Sequence, residues 1–200
     1  MNVNRRKFVL SFIAGAVAPI VLAALNKVPL LARFKKYLRP PGALSEKDFI
    51  DACIGCGQCA NVCPNKCISM QGIEKGLENL ATPFIVPRAR GCVLCMACTQ
   101  ACPTGALKKL PATKEGMLAV TMGKAVVSED ICYSFSGRTC GACYRACPIA
   151  GTAMKIGLFE KPYVQDECVG CGLCEQACIH MPQAIRIIPW ADLKEEMKNA

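Results

Sequence analysis

The apolar and polar positions divide this chain into one long apolar run and a train of short segments. Residues 8–25 (FVLSFIAGAVAPIVLAAL) hold 18 positions without a charge. As a helix rising about 1.5 Å per residue, that run reaches roughly 27 Å, enough for the hydrocarbon core of a bilayer. Pro19 kinks such a helix without preventing it from spanning. Residues 25–43 (LNKVPLLARFKKYLRPPGA) then mix apolar and basic side chains and close on Pro40-Pro41-Gly42, a composition that suits a phospholipid surface or a linker. Beyond them the periods are short. SEKDFIDA (45–52) reads as a helical turn or two. Residues 116–121 and 124–132 read as a hairpin, as do 152–160 and 161–168, and 184–188 reads as one further strand. Two-stranded ribbons with short helices predict an α+β architecture.

Composition changes this picture through cysteine. Seventeen of 200 residues are Cys, while aromatic residues make up 6%. A core so poor in large rings needs another source of order, either disulfides or metal. The formal charge of +9 first suggests a nucleic-acid partner. However, residues 1–43 hold eight of the 24 basic side chains and none of the 15 acidic ones, so the remainder is nearly balanced. No basic stripe interleaved with stacking aromatics remains, which argues against nucleic acid. The boundary at 43/44 therefore separates a basic N-terminal segment (1–43) from a cysteine-rich domain (44–200).

Sixteen of the cysteines form one module repeated four times. The first is Cys53, Cys56, Cys59, Cys63, followed by Pro64. The second is Cys92, Cys95, Cys98, Cys102, followed by Pro103. The third is Cys132, Cys140, Cys143, Cys147, followed by Pro148, with seven residues in place of two between its first pair. The fourth is Cys168, Cys171, Cys174, Cys178, without the proline. C-x2-C-x2-C-x3-C-P is the run that holds [4Fe–4S] clusters in bacterial ferredoxins. A thiolate every third residue wraps three iron corners of one cube. The fourth cysteine, which the pattern predicts to open a short helix such as 102–110, points away and completes the cube of a partner motif. Glycines between ligands (Gly55, Gly57, Gly141, Gly170, Gly172) let the backbone approach the sulfurs. Zinc prefers four ligands in two separated pairs. Disulfides between cysteines three apart in tight loops would be strained. Four [4Fe–4S] clusters are thus the expected cofactors, in two two-cluster units. Sequential pairing (first with second, third with fourth) and nested pairing (second with third, first with fourth) both remain open to the spacing.

Two residues stand outside the rhythm. Cys67 reads as a small buried apolar residue, and His180, the only histidine, as a neighbour of the fourth motif and not as a ligand. The stretched loop 132–140, with Tyr133, Phe135 and Arg138, reads as a surface loop or a partner contact. No Ser–His–Asp set, phosphate loop or supported carboxylate pair appears, so no catalytic residue and no substrate conversion are expected on this chain.

Arg5-Arg6-Lys7-Phe8 ahead of the apolar run looks like a twin-arginine export signal, read here as an uncleaved anchor. Together with LRPPGA (38–43), CIGCGQC (53–59) and CYSFSGRTCGACYRACP (132–148), it makes the chain resemble the NapG/MauM ferredoxin-type proteins. The resemblance implies a membrane-attached protein on the periplasmic side of the inner membrane. It implies a polytopic quinol-oxidising membrane partner and a periplasmic acceptor, either a reductase or a cytochrome. The alternative role is the iron–sulfur subunit of a molybdopterin or hydrogenase-type membrane oxidoreductase. Four-cluster subunits of similar sequence use the nested order. The link between motifs two and three, read as a hairpin, also favours nested pairing here.

Overall fold

The first helix among the described residues, α1 (Glu46–Ala52), is entered through Ser45, whose hydroxyl accepts the Asp48 N–H at 3.4 Å. Glu46 and Asp48 occupy the first turn, where the helix end favours negative charge. The helix read at 45–52 is therefore present. The computed structural model describes residues 37–73 and 79–193. The apolar stretch 8–25, the arginine pair and the expected N-terminal hydrophobic helix lie outside the described residues.

Four more helices sit inside the cysteine motifs: α2 (Gln58–Asn61), α3 (Ala97–Ala101), α5 (Ala142–Arg145) and α6 (Leu173–Ala177). Each begins after a residue with positive φ that directly follows the second cysteine of its motif: Gly57 (72°), Met96 (58°), Gly141 (55°) and Gly172 (86°). Each helix carries the third cysteine and ends before the fourth. The helices expected to start at the fourth cysteines do not form. Cys102 is extended (φ −73°, ψ 115°) because the Pro103 ring disfavours a helical conformation in the residue before it, and residues 103–110 contain no helix. The remaining helix, α4 (Lys114–Leu118), is capped by Thr113, whose hydroxyl accepts the Gly116 N–H at 3.3 Å.

Three two-stranded antiparallel ribbons frame these loops. β1 (Ile68–Met70) pairs with β2 (Pro83–Ile85), and β4 (Met154–Ile156) with β5 (Pro162–Val164), the latter being the hairpin read between 152 and 168. The other expected hairpin, at 116–132, is absent because its first half belongs to α4. Instead β3 (Gly123–Val127) pairs with β6 (Ile185–Pro189), placing Gly123 opposite Pro189 and Val127 opposite Ile185. That ribbon joins the chain just before the third motif to the chain just after the fourth. In the first half the same closure shrinks to a single antiparallel bridge, Ala43 with Leu107, around motifs one and two. Helices α2 and α3 pack together, as do α5 and α6. Pairing is therefore sequential and the nested order is corrected. Strand closure sets the pairing, and the strand partner of β3 lies beyond the fourth motif.

Residues 37–43, read from the sequence as linker, belong to the folded body. Leu38, Arg39, Pro40 and Pro41 are buried. The Arg39 guanidinium forms a salt bridge with Glu46 at 2.5 Å and donates to Thr82 Oγ1 at 3.0 Å, the Pro83 carbonyl at 2.9 Å and Asn79 Oδ1 at 3.1 Å. It also stacks 4.8 Å from the Phe49 ring centroid. This knot ties the entry strap to α1 and β2 at the edge of a core built from Phe49, Leu94, Met96 and Leu107.

Candidate metal centres

Three recesses each gather four thiols and little else that is polar. Recess I, about 340 Å³, takes Cys53, Cys56 and Cys59 from the first motif and Cys102 from the second. Recess III, about 380 Å³, takes Cys132, Cys140 and Cys143 with Cys178. Recess IV, about 310 Å³, takes Cys168, Cys171 and Cys174 with Cys147. The remaining thiols meet at a fourth place, II. There Cys63 Sγ lies 3.5 Å from Cys67 Sγ, Cys92 neighbours Cys67, and Cys95 and Cys63 neighbour Cys98. In every case three cysteines of one motif are completed by the fourth cysteine of its sequence neighbour.

The donor chemistry fits an iron–sulfur cube. All seventeen cysteines are free thiols. Among the described residues no three Cys, His, Asp or Glu side chains converge on a point that would suit a single ion; the thiols ring each recess instead. Backbone N–H groups aim at the sulfurs: Leu94 at Cys92 (3.4 Å), Ala125 at Cys168 (3.5 Å) and Ala184 at Cys178 (3.3 Å). Such bonds stabilise thiolate charge and set cluster potential. The fourth loop leaves no room for a side chain at Gly170, where a Cβ would lie 2.5 Å from the Gly123 backbone. In the second motif Leu94 and Met96, with φ of 55° and 58°, adopt the left-handed turns that glycines supply elsewhere.

Burial opposes negative charge on the empty thiols. It lifts Cys59, Cys143 and Cys171 to about 11, and Cys98, next to Cys95, to about 12. Cys102 goes the other way. Burial works against it, but the Leu107 N–H and the Thr104 hydroxyl hold it below the ordinary thiol value. Iron thus has to displace protons from most of the sites it enters.

The recesses lie in a file. The Cys92 N–H donates to the Cys171 carbonyl at 2.7 Å, so II abuts IV. Cys59, in I, neighbours Cys98, in II, and Cys143, in III, neighbours Cys174, in IV. The order is I, II, IV, III. At the II–IV seam the Gly91 N–H donates to Gln176 Oε1 at 2.8 Å, and Arg88 donates to the carbonyls of Glu175 and Cys178 at the end of α6.

Comparison with known proteins points to the same kind of cofactor. Residues 52–106 and 91–151 match the 4Fe-4S dicluster domain, and residues 165–178 match a 4Fe-4S binding domain. The chain is 37% identical over 163 residues to the methylamine utilization ferredoxin-type protein MauM of Paracoccus denitrificans, covering 76% of this chain and 71% of the relative. It is 32% identical over 210 residues to the ferredoxin-type protein NapG of Escherichia coli, covering 97% and 89%. NapG of Haemophilus influenzae is 34% identical over 207 residues, 94% and 73%. The chain belongs to the NapG/MauM family of ferredoxin-type proteins. In this NapG/MauM chain two dicluster units and seventeen cysteines fit four [4Fe–4S] clusters.

The outer recesses open towards the surface. Ile54 and Cys56 are exposed at I. At III the lip is formed by Tyr133 of the stretched loop, its ring edge-on to His180 at 4.9 Å, with Ile179 and Met181 exposed beside them. His180 Nδ1 lies 2.7 Å from the Pro182 carbonyl, an acceptor only, so that nitrogen carries the proton. Sequence reasoning missed the place of Cys67, whose sulfur sits 3.5 Å from that of Cys63. The signal was present in the repeat: Cys67 occupies the position that Ala106 occupies after the second motif.

Proposed function

We propose that this protein is an electron relay on the periplasmic side of the inner membrane. It carries electrons from a polytopic quinol-oxidising membrane partner to a periplasmic reductase or cytochrome. The observation that carries the reading is the file of three thiol-lined recesses and the thiol cluster II, in the order I–II–IV–III, whose ends reach the surface and whose middle is joined by the Cys92–Cys171 backbone bond. Each bound [4Fe–4S] cube supplies one-electron redox chemistry. The ligands are Cys53, Cys56, Cys59 and Cys102; Cys92, Cys95, Cys98 and Cys63; Cys132, Cys140, Cys143 and Cys178; and Cys168, Cys171, Cys174 and Cys147. The remaining side chains exclude water from the inner pair and aim N–H donors at sulfur. No residue of the chain converts a substrate.

The relatives named for methylamine utilization and the NapG relatives support a role beside a larger redox system. Arg5-Arg6 before the apolar run 8–25 supports export by the twin-arginine route with the N-terminal segment as an anchor. A protein loaded with clusters in the cytoplasm has to cross already folded, which that route allows. The test is an anaerobic pull-down of the full chain from membranes. Recovery of a polytopic quinol-oxidising subunit, with about sixteen irons on the bait, is expected. Recovery of a stable molybdenum or hydrogenase catalytic subunit instead makes this chain the iron–sulfur subunit of that enzyme.

A further inference from the structure

Five thiols meet at place II, where a cube needs four. The chain doubles back after the first motif: the Lys66 N–H donates to the Cys63 carbonyl at 3.1 Å, and Lys66 has φ of 47°. The Asn65 amide holds this turn to the Gly91 carbonyl at 2.7 Å. Cys67 returns beside Cys63, Sγ to Sγ 3.5 Å, and is only 4% exposed. Cys92, another thiol of the same place, neighbours it as well.

The repeat shows that this sulfur is an addition. Cys67 precedes Ile68, the first residue of β1. Ala106 precedes Leu107, the bridge residue; Ala153 precedes Met154, the start of β4; and Ala184 precedes Ile185, the start of β6. All three alanines are buried. Ala106 stands four residues after its fourth cysteine, as Cys67 does, and Ala153 and Ala184 stand six after theirs, so a buried methyl group fills the place before the strand or bridge in the other three repeats.

We propose that Cys67 is a reserve ligand for the cube seated by Cys92, Cys95 and Cys98, taking the fourth iron when Cys63 lets go or is removed. This rests on the reading of the sixteen motif cysteines as ligands. In the exchange one Fe–S bond breaks and one forms. The Cys67 proton passes to the departing Cys63 thiolate, or to solvent when Cys63 is absent, and no electron changes hands. None of the other three sites has such a thiol beside its fourth ligand, so loss of Cys102, Cys147 or Cys178 should not be rescued.

The test counts iron and acid-labile sulfide on full-length protein prepared without oxygen, alongside electron paramagnetic resonance of the reduced cubes. The unsubstituted protein and Cys67→Ala should each hold about sixteen irons, and Cys102→Ala about twelve. Cys63→Ala should hold about sixteen with one altered resonance signal, and the double variant Cys63→Ala/Cys67→Ala about twelve. Cys63→Ala falling to the Cys102→Ala level, or yielding no folded protein, overturns the proposal, since a working reserve thiol would have kept the cube. So does a double variant that keeps all its iron, or a Cys67→Ala chain that loses a cube. A shortfall already in the unsubstituted protein brings down the ligand assignment itself, and this proposal with it.

Discussion

Gly91→Ala tests the II–IV seam directly. Gly91 immediately precedes Cys92, and a Cβ there would lie 2.6 Å from Leu173 N and 2.8 Å from Gly172 C and Leu173 Cα. All three atoms are backbone, so no side chain can swing away. Ordinary contact begins at 3.4 Å, leaving 0.6–0.8 Å to be found by moving the two halves apart. That movement strains the Gly91–Gln176 bond (2.8 Å) and the Cys92–Cys171 bond (2.7 Å). Overpacking costs about 1–3 kcal/mol, and two weakened hydrogen bonds add about 1–3 kcal/mol. With about 2–4 °C per kcal/mol for a chain of this size, the melting temperature should fall by roughly 5–20 °C. Both halves keep their own recesses, so the iron count should stay unchanged while transfer between the halves slows. The assay pairs calorimetry on anaerobic holoprotein with rapid-mixing reduction, following equilibration among the cubes. Gly137→Ala, where a Cβ meets nothing within 4 Å but φ is 80°, gives the cost of backbone strain without any steric clash, and internal equilibration should be unaltered in it. A Gly91→Ala protein with unaltered melting and unaltered internal equilibration would refute the seam as the path between the modules.

Arg39→Met should cost about 3–5 kcal/mol, because it leaves the Glu46 carboxylate without its cation and the Pro83 carbonyl without its donor. Arg39→Lys should recover little of this, lacking the planar fork; denaturant titration checks both. Raised thiols favour the protonated, empty state, so reconstitution with iron and sulfide should release acid and tighten as pH rises from about 7 to about 9, towards the values near 11 and 12 of Cys59 and Cys98. Proton release in weakly buffered solution measures it, and a loading constant flat across that interval contradicts the burial argument. Replacing Arg5 and Arg6 together by Lys should leave the loaded protein on the cytoplasmic side, as read by protease accessibility in spheroplasts.

The ligand motifs were legible because thiolate spacing is dictated by the cube and not by the surrounding fold. The β4–β5 hairpin and α1 were legible for a similar reason, since their signals are local: a capping Ser45 and two short apolar runs around a turn. Pairing was not. It depends on β3 finding β6 across some sixty residues of sequence, and nothing within residues 116–132 encodes that partner. The helices expected at the fourth cysteines do not form; at Cys102 the following proline disfavours a helical conformation in the residue before it. The strap at 37–43 was hidden by its charge. Arg39 looks like any juxtamembrane cation until Glu46, Thr82 and Phe49, far apart in the chain, close around it.

Sequential closure also bears on how the protein is made. Everything that lines recess I lies between Phe49 and Leu107, the five thiols of II fall in the same span, and the Ala43–Leu107 bridge joins the ends of that half without any residue of the third motif. A growing chain can therefore ripen its first pair of centres while the second is still being translated, in line with the N-terminal-first folding of multi-part proteins. An interleaved arrangement would have forced the earliest thiols to wait, exposed, for the last ones to emerge.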